Sequence, residues 1–228
     1  MITDDVWRQV QAYGTPHDNT LRGKVGVSRC HWFAPELQVV FRQLVTGLPD
    51  AGVYLELGTF LGAGSTAIAL ETKPQLKVIC LDHWQITGQA ARRWQPEHAF
   101  VPGKKQRVDF LKGHGSAFAH FCNNIFEDQS RVVPIRRAYH AQTLTDLANL
   151  GVTPDLILID DDHQRAPVLQ RMQTIHRLWP KAQLVLDDYT EHWPGVKQGF
   201  DQAIADGLYP GAKRTLLADR LMWVQPAI

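Results

Sequence analysis

Apolar positions along the chain follow two periods. Leu37, Val40, Phe41, Leu44 and Val45 recur at helical spacing, which predicts a helix over 35–46, and Pro35 suits its first turn. From Val53 a short unbroken apolar run predicts a buried strand. Runs at 77–82, 131–135, 155–159 and 183–186 predict four more strands. The continuous run at 155–159 is what the buried centre of a parallel sheet requires. Pro134 lies inside the third strand and predicts an edge or a bulge. Helical spacing returns at 4–12, 65–70, 116–126, 143–150, 167–179 and 196–206. Residues 213–217 and 221–224 read as a terminal pair joined by a tight turn at Asp219-Arg220. Strands that alternate with helices and end in a hairpin predict an α/β fold. Its sheet is doubly wound and mostly parallel, with a terminal antiparallel hairpin.

Two stretches escape these periods. Residues 1–34 mix Gly, Pro, Asn and charges with isolated aromatics (Trp7, Tyr13, Trp32, Phe33). They are expected to form an N-terminal arm or lid over a domain spanning 35–228, the alternative being a partly ordered tail. Residues 83–114 exceed an ordinary βα loop and carry Arg92, Arg93, Lys104, Lys105, Arg107 and Lys112. They read as a lid or binding insertion, or as a solvated basic loop. With only Trp94 and Phe100 interleaved and a net charge of +1, nucleic acid is an unlikely partner. No apolar run reaches the roughly 18 residues of a membrane span, and the first residues lack the apolar core of a signal peptide. Cys30, Cys80 and Cys122 are odd in number and widely spaced, which predicts free thiols in a reducing cytoplasm.

The chemistry begins at Glu56-Leu57-Gly58-Thr59-Phe60-Leu61-Gly62-Ala63-Gly64-Ser65. A strand that turns through glycines into a helix N-terminus is a ligand-binding device. The dinucleotide fingerprint fails here, because Phe60 stands two places after Gly58. A carboxylate at Glu56 would repel a pyrophosphate but suits a sulfonium and an amino group. The pattern E-x-G-x-x-x-G-x-G-S resembles motif I of the class I S-adenosylmethionine (SAM) methyltransferases, which have a Rossmann-like sheet. Asp82 ends the second strand 26 residues after Glu56 and is the expected ribose-diol ligand. Trp84, after His83, is a candidate to lie against adenine.

Two further strand ends carry acids: Asp160-Asp161-Asp162-His163 and Asp187-Asp188. Ligands bind outside the carboxyl ends of parallel strands, and neighbouring strands lie about 4.8 Å apart, so the clusters can converge beside the cofactor. Crowded carboxylates call for a cation, and oxygen ligands favour a hard divalent one, magnesium before zinc. Asp161 is expected to be structural.

Leu-Ile-Asp-Asp-Asp-His, with the later Leu-Asp-Asp-Tyr and Pro-Gly-Val-Lys, resembles the magnesium-dependent small-molecule O-methyltransferases of antibiotic biosynthesis, the macrocin and aminocoumarin-sugar type. That resemblance runs from about residue 36 to the end. It implies metal ligands at Asp160, Asp187 and Asp188 and a general base at Asp162. His163 is the reserve base, because an imidazole ordinarily titrates at about 6.5, the alternative being a structural hydrogen bond to a neighbouring loop. The resemblance also implies a cofactor site whose methionine part is held at Glu56, Gly58, Thr59, Gly62 and Ser65 and whose nucleoside part is held at Asp82, His83 and Trp84. The family's usual glycine is Asp161 here, and Arg137-Ala138-Tyr139-His140 replaces a stretch often carrying Asp-Ser. The expected activity is methyl transfer from SAM to a hydroxyl of a small natural-product or sugar acceptor. The rivals are a metal-independent SAM enzyme acting on an amine or nucleic acid, a non-catalytic SAM-binding protein, and a nicotinamide oxidoreductase weakened by the missing fingerprint. A homo-oligomer stays open.

Overall fold

The expected strands and helices form, and sheet pairing decides their order. The computed structural model describes residues 2–22, 33–85, 116–137 and 141–227. Helices α1 (Asp4–Tyr13) and α2 (Pro35–Thr46) lead into β1 (Val53–Leu57), α3 (Ser65–Thr72) and β2 (Lys77–Asp82). Helix α4 (Ala117–Asn124) and a 3₁₀ turn (Phe126–Arg131) precede β3 (Val132–Arg136). Then come α5 (Ala141–Asn149), β4 (Leu156–Ile159), α6 (Arg165–Leu178), β5 (Gln183–Leu186), α7 (Pro194–Ala205), β6 (Lys213–Leu217) and β7 (Leu221–Gln225). Cys30, Trp32, the basic residues from Arg92 to Lys112 with Trp94 and Phe100, and Ala138 to His140 lie outside the described residues.

The sheet has seven strands in the order β3-β2-β1-β4-β5-β7-β6. Its first five are parallel, and β7 pairs antiparallel with both β5 and β6. Strand residues alternate between two cores, as the two-residue repeat of a strand demands. Tyr54, Val78, Cys80, Leu156 and Leu158 join α2, α3 and α4 on one face. Leu55, Leu57, Ile79, Leu81, Ile157 and Ile159 join α1, α5, α6 and α7 on the other. Both faces are covered, so the central strands are largely apolar, with Glu56 near the end of β1 the buried exception.

Pro134 sits on the edge strand β3, where a missing N–H costs no ladder bond. The chain after α1 lies along that edge. Thr15 donates its N–H to Pro134 O at 2.7 Å, and Thr15 Oγ1 accepts from Arg136 N at 2.8 Å. Thr3 caps α1 by accepting from Val6 N, and Trp7 and Val10 are buried on the second core. Burying each contributes about 1.5–3 kcal/mol, enough to dock the helix. No helix among the described residues is long and apolar enough to cross a membrane.

Strand order reverses between β1 and β4, the switch point at which doubly wound sheets open a crevice. Gly58 and Asp160 follow these two strands. Gly58 N donates to Leu81 O and Asp160 N to Leu57 O, which locks the strand ends together.

Candidate active site

Gly58 has φ +92°, and a Cβ there would stand 2.2 Å from the carbonyl oxygen of Asp160. A glycine is therefore required by both backbone conformation and space. Gly62, at φ +64°, turns the chain again beside the Phe121 ring. Between them Phe60 takes a positive φ without being glycine, as does Trp84 after β2. Asp82 braces both: its Oδ2 accepts from Phe60 N at 2.8 Å and its Oδ1 from Trp84 N at 2.6 Å. Burial pushes the Asp82 carboxyl up, and these two N–H donors oppose that shift.

The structure places Trp84 in the core rather than at a cleft wall. Its ring packs 5.0 Å from Phe118 and 4.8 Å from Phe121, and its indole N–H donates to Phe60 O. Among the described residues it supports the glycine loop and is not in the lining of the two clefts at the strand ends. His83 stays on the cleft rim, about half exposed, where its Nδ1 accepts from Gln85 N at 2.7 Å.

Glu56 is buried at the end of β1 and accepts three hydroxyl hydrogen bonds. Ser65 donates to Oε1 at 2.6 Å, and Thr66 and Tyr54 donate to Oε2 at 2.6 and 2.8 Å. Burial raises its carboxyl and the three hydroxyls oppose that. The N-cap of α3 is Gly64, so no side chain caps that helix, and the Ser65 and Thr66 hydroxyls of its first turn go to Glu56.

Two clefts of about 330 Å³ each flank the ridge made by Gly58, Phe60 and Asp160. One is walled by Asp82, His83, Arg137, Asp161, Asp162 and Arg171. Glu56, Thr59, Ser65, Asp187, Arg220 and Phe33 wall the other. Phe33, just before α2, brings the end of the N-terminal segment to the second cleft.

The acids at the two strand ends divide their tasks. Ligand atoms of Asp160, His163 and Asp188 all lie within 4.8 Å of one another. His163 Nε2 is 2.7 Å from Asp188 Oδ2, and its ring lies 4.2 Å from that of Trp193. Asp188 holds a positive φ of 59° at this point. Asp187 turns to Arg220 instead, accepting from Nε at 2.6 Å and Nη2 at 3.1 Å. Arg220 also reaches Asp188 Oδ1 at 2.8 Å. Burial, with Asp187 and Asp188 nearby, pushes the Asp160 carboxyl well up, and Arg220 opposes this. Asp162 Oδ1 accepts from Gln164 N at 2.9 Å, an Asx turn that opens α6. Asp161 makes a bidentate pair with the buried Arg171, at 2.6 Å to Nη2 and 2.8 Å to Nε, which fits its expected structural role.

Sequence patterning places Arg220 in a turn and assigns it no role in the site. The register explains its position. Leu186 of β5 pairs with Met222 of β7, so the residues after β5 meet those before β7, and Tyr189 N donates to Arg220 O. The need for a cation among crowded carboxylates is a legible signal; that a hairpin supplies one is not.

Residues 55–189 match the methyltransferase domain family. An uncharacterized protein, R132, of Acanthamoeba polyphaga mimivirus is 29% identical over 160 residues, covering 69% of this chain. This chain spans 61% of that relative's length. Among solved structures, CalS11, a TDP-rhamnose 3′-O-methyltransferase of calicheamicin biosynthesis, aligns with a TM-score of 0.50 at 17% identity, covering 83% of this chain and 76% of its own. The precorrin-6y C5,15-methyltransferase of Geobacter metallireducens aligns at 0.53 and 12%, covering 88% and 96%. These two likenesses share the fold and differ in the chemistry their names describe. With the match extending from the glycine loop through both acid clusters, the chain belongs to the methyltransferase domain family.

Proposed function

We propose that the protein transfers a methyl group from SAM to a hydroxyl of a small-molecule acceptor, assisted by a divalent cation. One observation carries this reading: Glu56, Asp82 and Asp160 converge on the ridge at Gly58, with a cleft on either side. SAM, when bound, supplies an electrophilic methyl on a sulfonium. Asp82 keeps lone pairs beyond the two its backbone donors use, and these suit a ribose diol. Glu56, held rigid by three hydroxyls, presents negative charge toward the methionine side. The backbone from Gly58 to Gly62, with Thr59 and Ser65, lines the approach, and His83 stands at the nucleoside rim.

The donor set fits a divalent cation. No described residue donates a hydrogen bond to the Asp160 carboxylate, and Asp188 and His163 are within coordinating reach of it. Asp160 and Asp188 would be the first ligands, with His163 beside them. Asp187, taken as a ligand from the resemblance, would act by holding Arg220. An imidazole in the set widens the choice from magnesium toward manganese. The cation would supply Lewis acidity that eases loss of the acceptor's hydroxyl proton. Asp162 would take that proton, since its second oxygen is left by the Gln164 bond. His163, bonded to Asp188, is better placed to orient that acid.

A sugar or other natural-product hydroxyl is the acceptor class supported by the name of the CalS11 enzyme. Residues 1–34 would act as the arm of a domain over 35–228, with Phe33 at the cleft. The free buried thiols of Cys80 and Cys122 suit a cytoplasmic protein.

Calorimetric titration with S-adenosylhomocysteine tests the nucleoside assignment. Asp82→Asn is expected to weaken binding about tenfold, the worth of one charge-assisted hydrogen bond. Unchanged affinity would remove Asp82 from the site. Treatment with EDTA is expected to lower methyl transfer at least tenfold, with recovery on adding Mg²⁺ or Mn²⁺. Activity that persists through chelation would remove the cation from the mechanism.

A further inference from the structure

We propose that Arg220 is a built-in competitor of the divalent cation: it occupies the Asp187–Asp188 pair when no cation is present and keeps cation affinity low. The inference rests on reading Asp160, His163 and Asp188 as the cation site.

The guanidinium spans both acids, with two bonds to Asp187 and one to Asp188 Oδ1. Asp188 is thus shared: Oδ1 faces Arg220 and Oδ2 faces His163. Burial has removed most of the water that would otherwise screen three clustered carboxylates, so some positive charge is needed among them. Arg220 meets that need for two of them. Asp160 is left over, bordering both clefts. With all three acids ionised, one arginine leaves two negative charges, which one divalent ion would neutralise. The same guanidinium lies within hydrogen-bond distance of a ligand and repels any arriving cation. It comes from the turn before β7 and is 39% exposed, so it has room to withdraw. The Asp161–Arg171 pair shows the contrasting arrangement, a buried arginine paired with an acid outside the candidate ligand set.

The test is titration of the chelator-stripped full chain with Mg²⁺ and with Mn²⁺ by calorimetry, alongside thermal melts with and without each ion. Arg220→Gln is expected to bind either ion at least tenfold more tightly than the wild type. Its stripped form is expected to melt lower, and the ion to raise its melting temperature by more. Arg220→Lys keeps one charge but loses the two-acid fork, and is expected to tighten binding by a smaller factor. That variant decides the matter should the glutamine variant fail to fold. Asp160→Asn is expected to remove binding in either background. Affinity unchanged within twofold, or weakened, in the arginine variants overturns the competitor role and leaves the cation site standing. No binding by wild type or variants at millimolar ion overturns the cation reading and this inference with it.

Discussion

Asp162→Asn is expected to lower turnover by about 10²–10⁴-fold, the range for loss of a general base. The affinity for S-adenosylhomocysteine is expected to stay within about threefold. The contrast between these two numbers is what the structure makes sharp. The Asp162 oxygen that closes the Asx turn accepts from Gln164 N, and an asparagine carbonyl accepts that bond equally well. The start of α6 is therefore kept, along with the Asp161–Arg171 pair beside it. What is lost is a carboxylate able to take a proton on the cleft wall. Single-turnover measurement at saturating cofactor separates the chemical step from binding. Full turnover in this variant would move the base to another residue, with His163 next to be tested.

Gly58→Ala is expected to cost about 2–5 kcal/mol of stability and to abolish cofactor binding, read by urea unfolding and calorimetry. Two penalties combine. A positive φ costs an L-residue roughly 1–2 kcal/mol, and overpacking typically adds about 1–3 kcal/mol. The collision here is with backbone, the Asp160 carbonyl at 2.2 Å, so no side-chain rotation relieves it. To make room, the end of β4 must move away from β1. That displaces Asp160 from Asp188 and His163 and separates the ridge from Asp82. A stability loss under about 1 kcal/mol with cofactor affinity retained would show that the two strand ends can part without harm.

Much of this site is legible in the amino-acid sequence. The order of strands and helices follows from apolar periodicity, and one proline without an N–H already narrows β3 to an edge or a bulge, of which the sheet order gives the edge. The position of Glu56, Asp82 and Asp160 at strand ends also follows, because a parallel sheet collects its carboxyl ends on one side. The legible part stops where a side chain's direction depends on its neighbours. Trp84 follows a strand-end acid, as a stacking residue would, yet its backbone takes a positive φ and its ring turns into the core between Phe118 and Phe121. Asp187 and Asp188 are adjacent and chemically alike, yet the first pairs with an arginine and accepts from the Asp188 N–H, while the second reaches both that arginine and a histidine.

The sequence by itself determined the doubly wound α/β fold, the glycine turn after β1 and which strand ends carry acids, since these depend on local periodicity and residue type. Only the tertiary structure decided that Arg220 enters the acid cluster, because that follows from β7 pairing antiparallel with β5, with the whole of α7 and β6 lying between them in the chain. It alone also decided that Gly58 must be glycine for the sake of Asp160, because two strands distant in sequence close to van der Waals contact there.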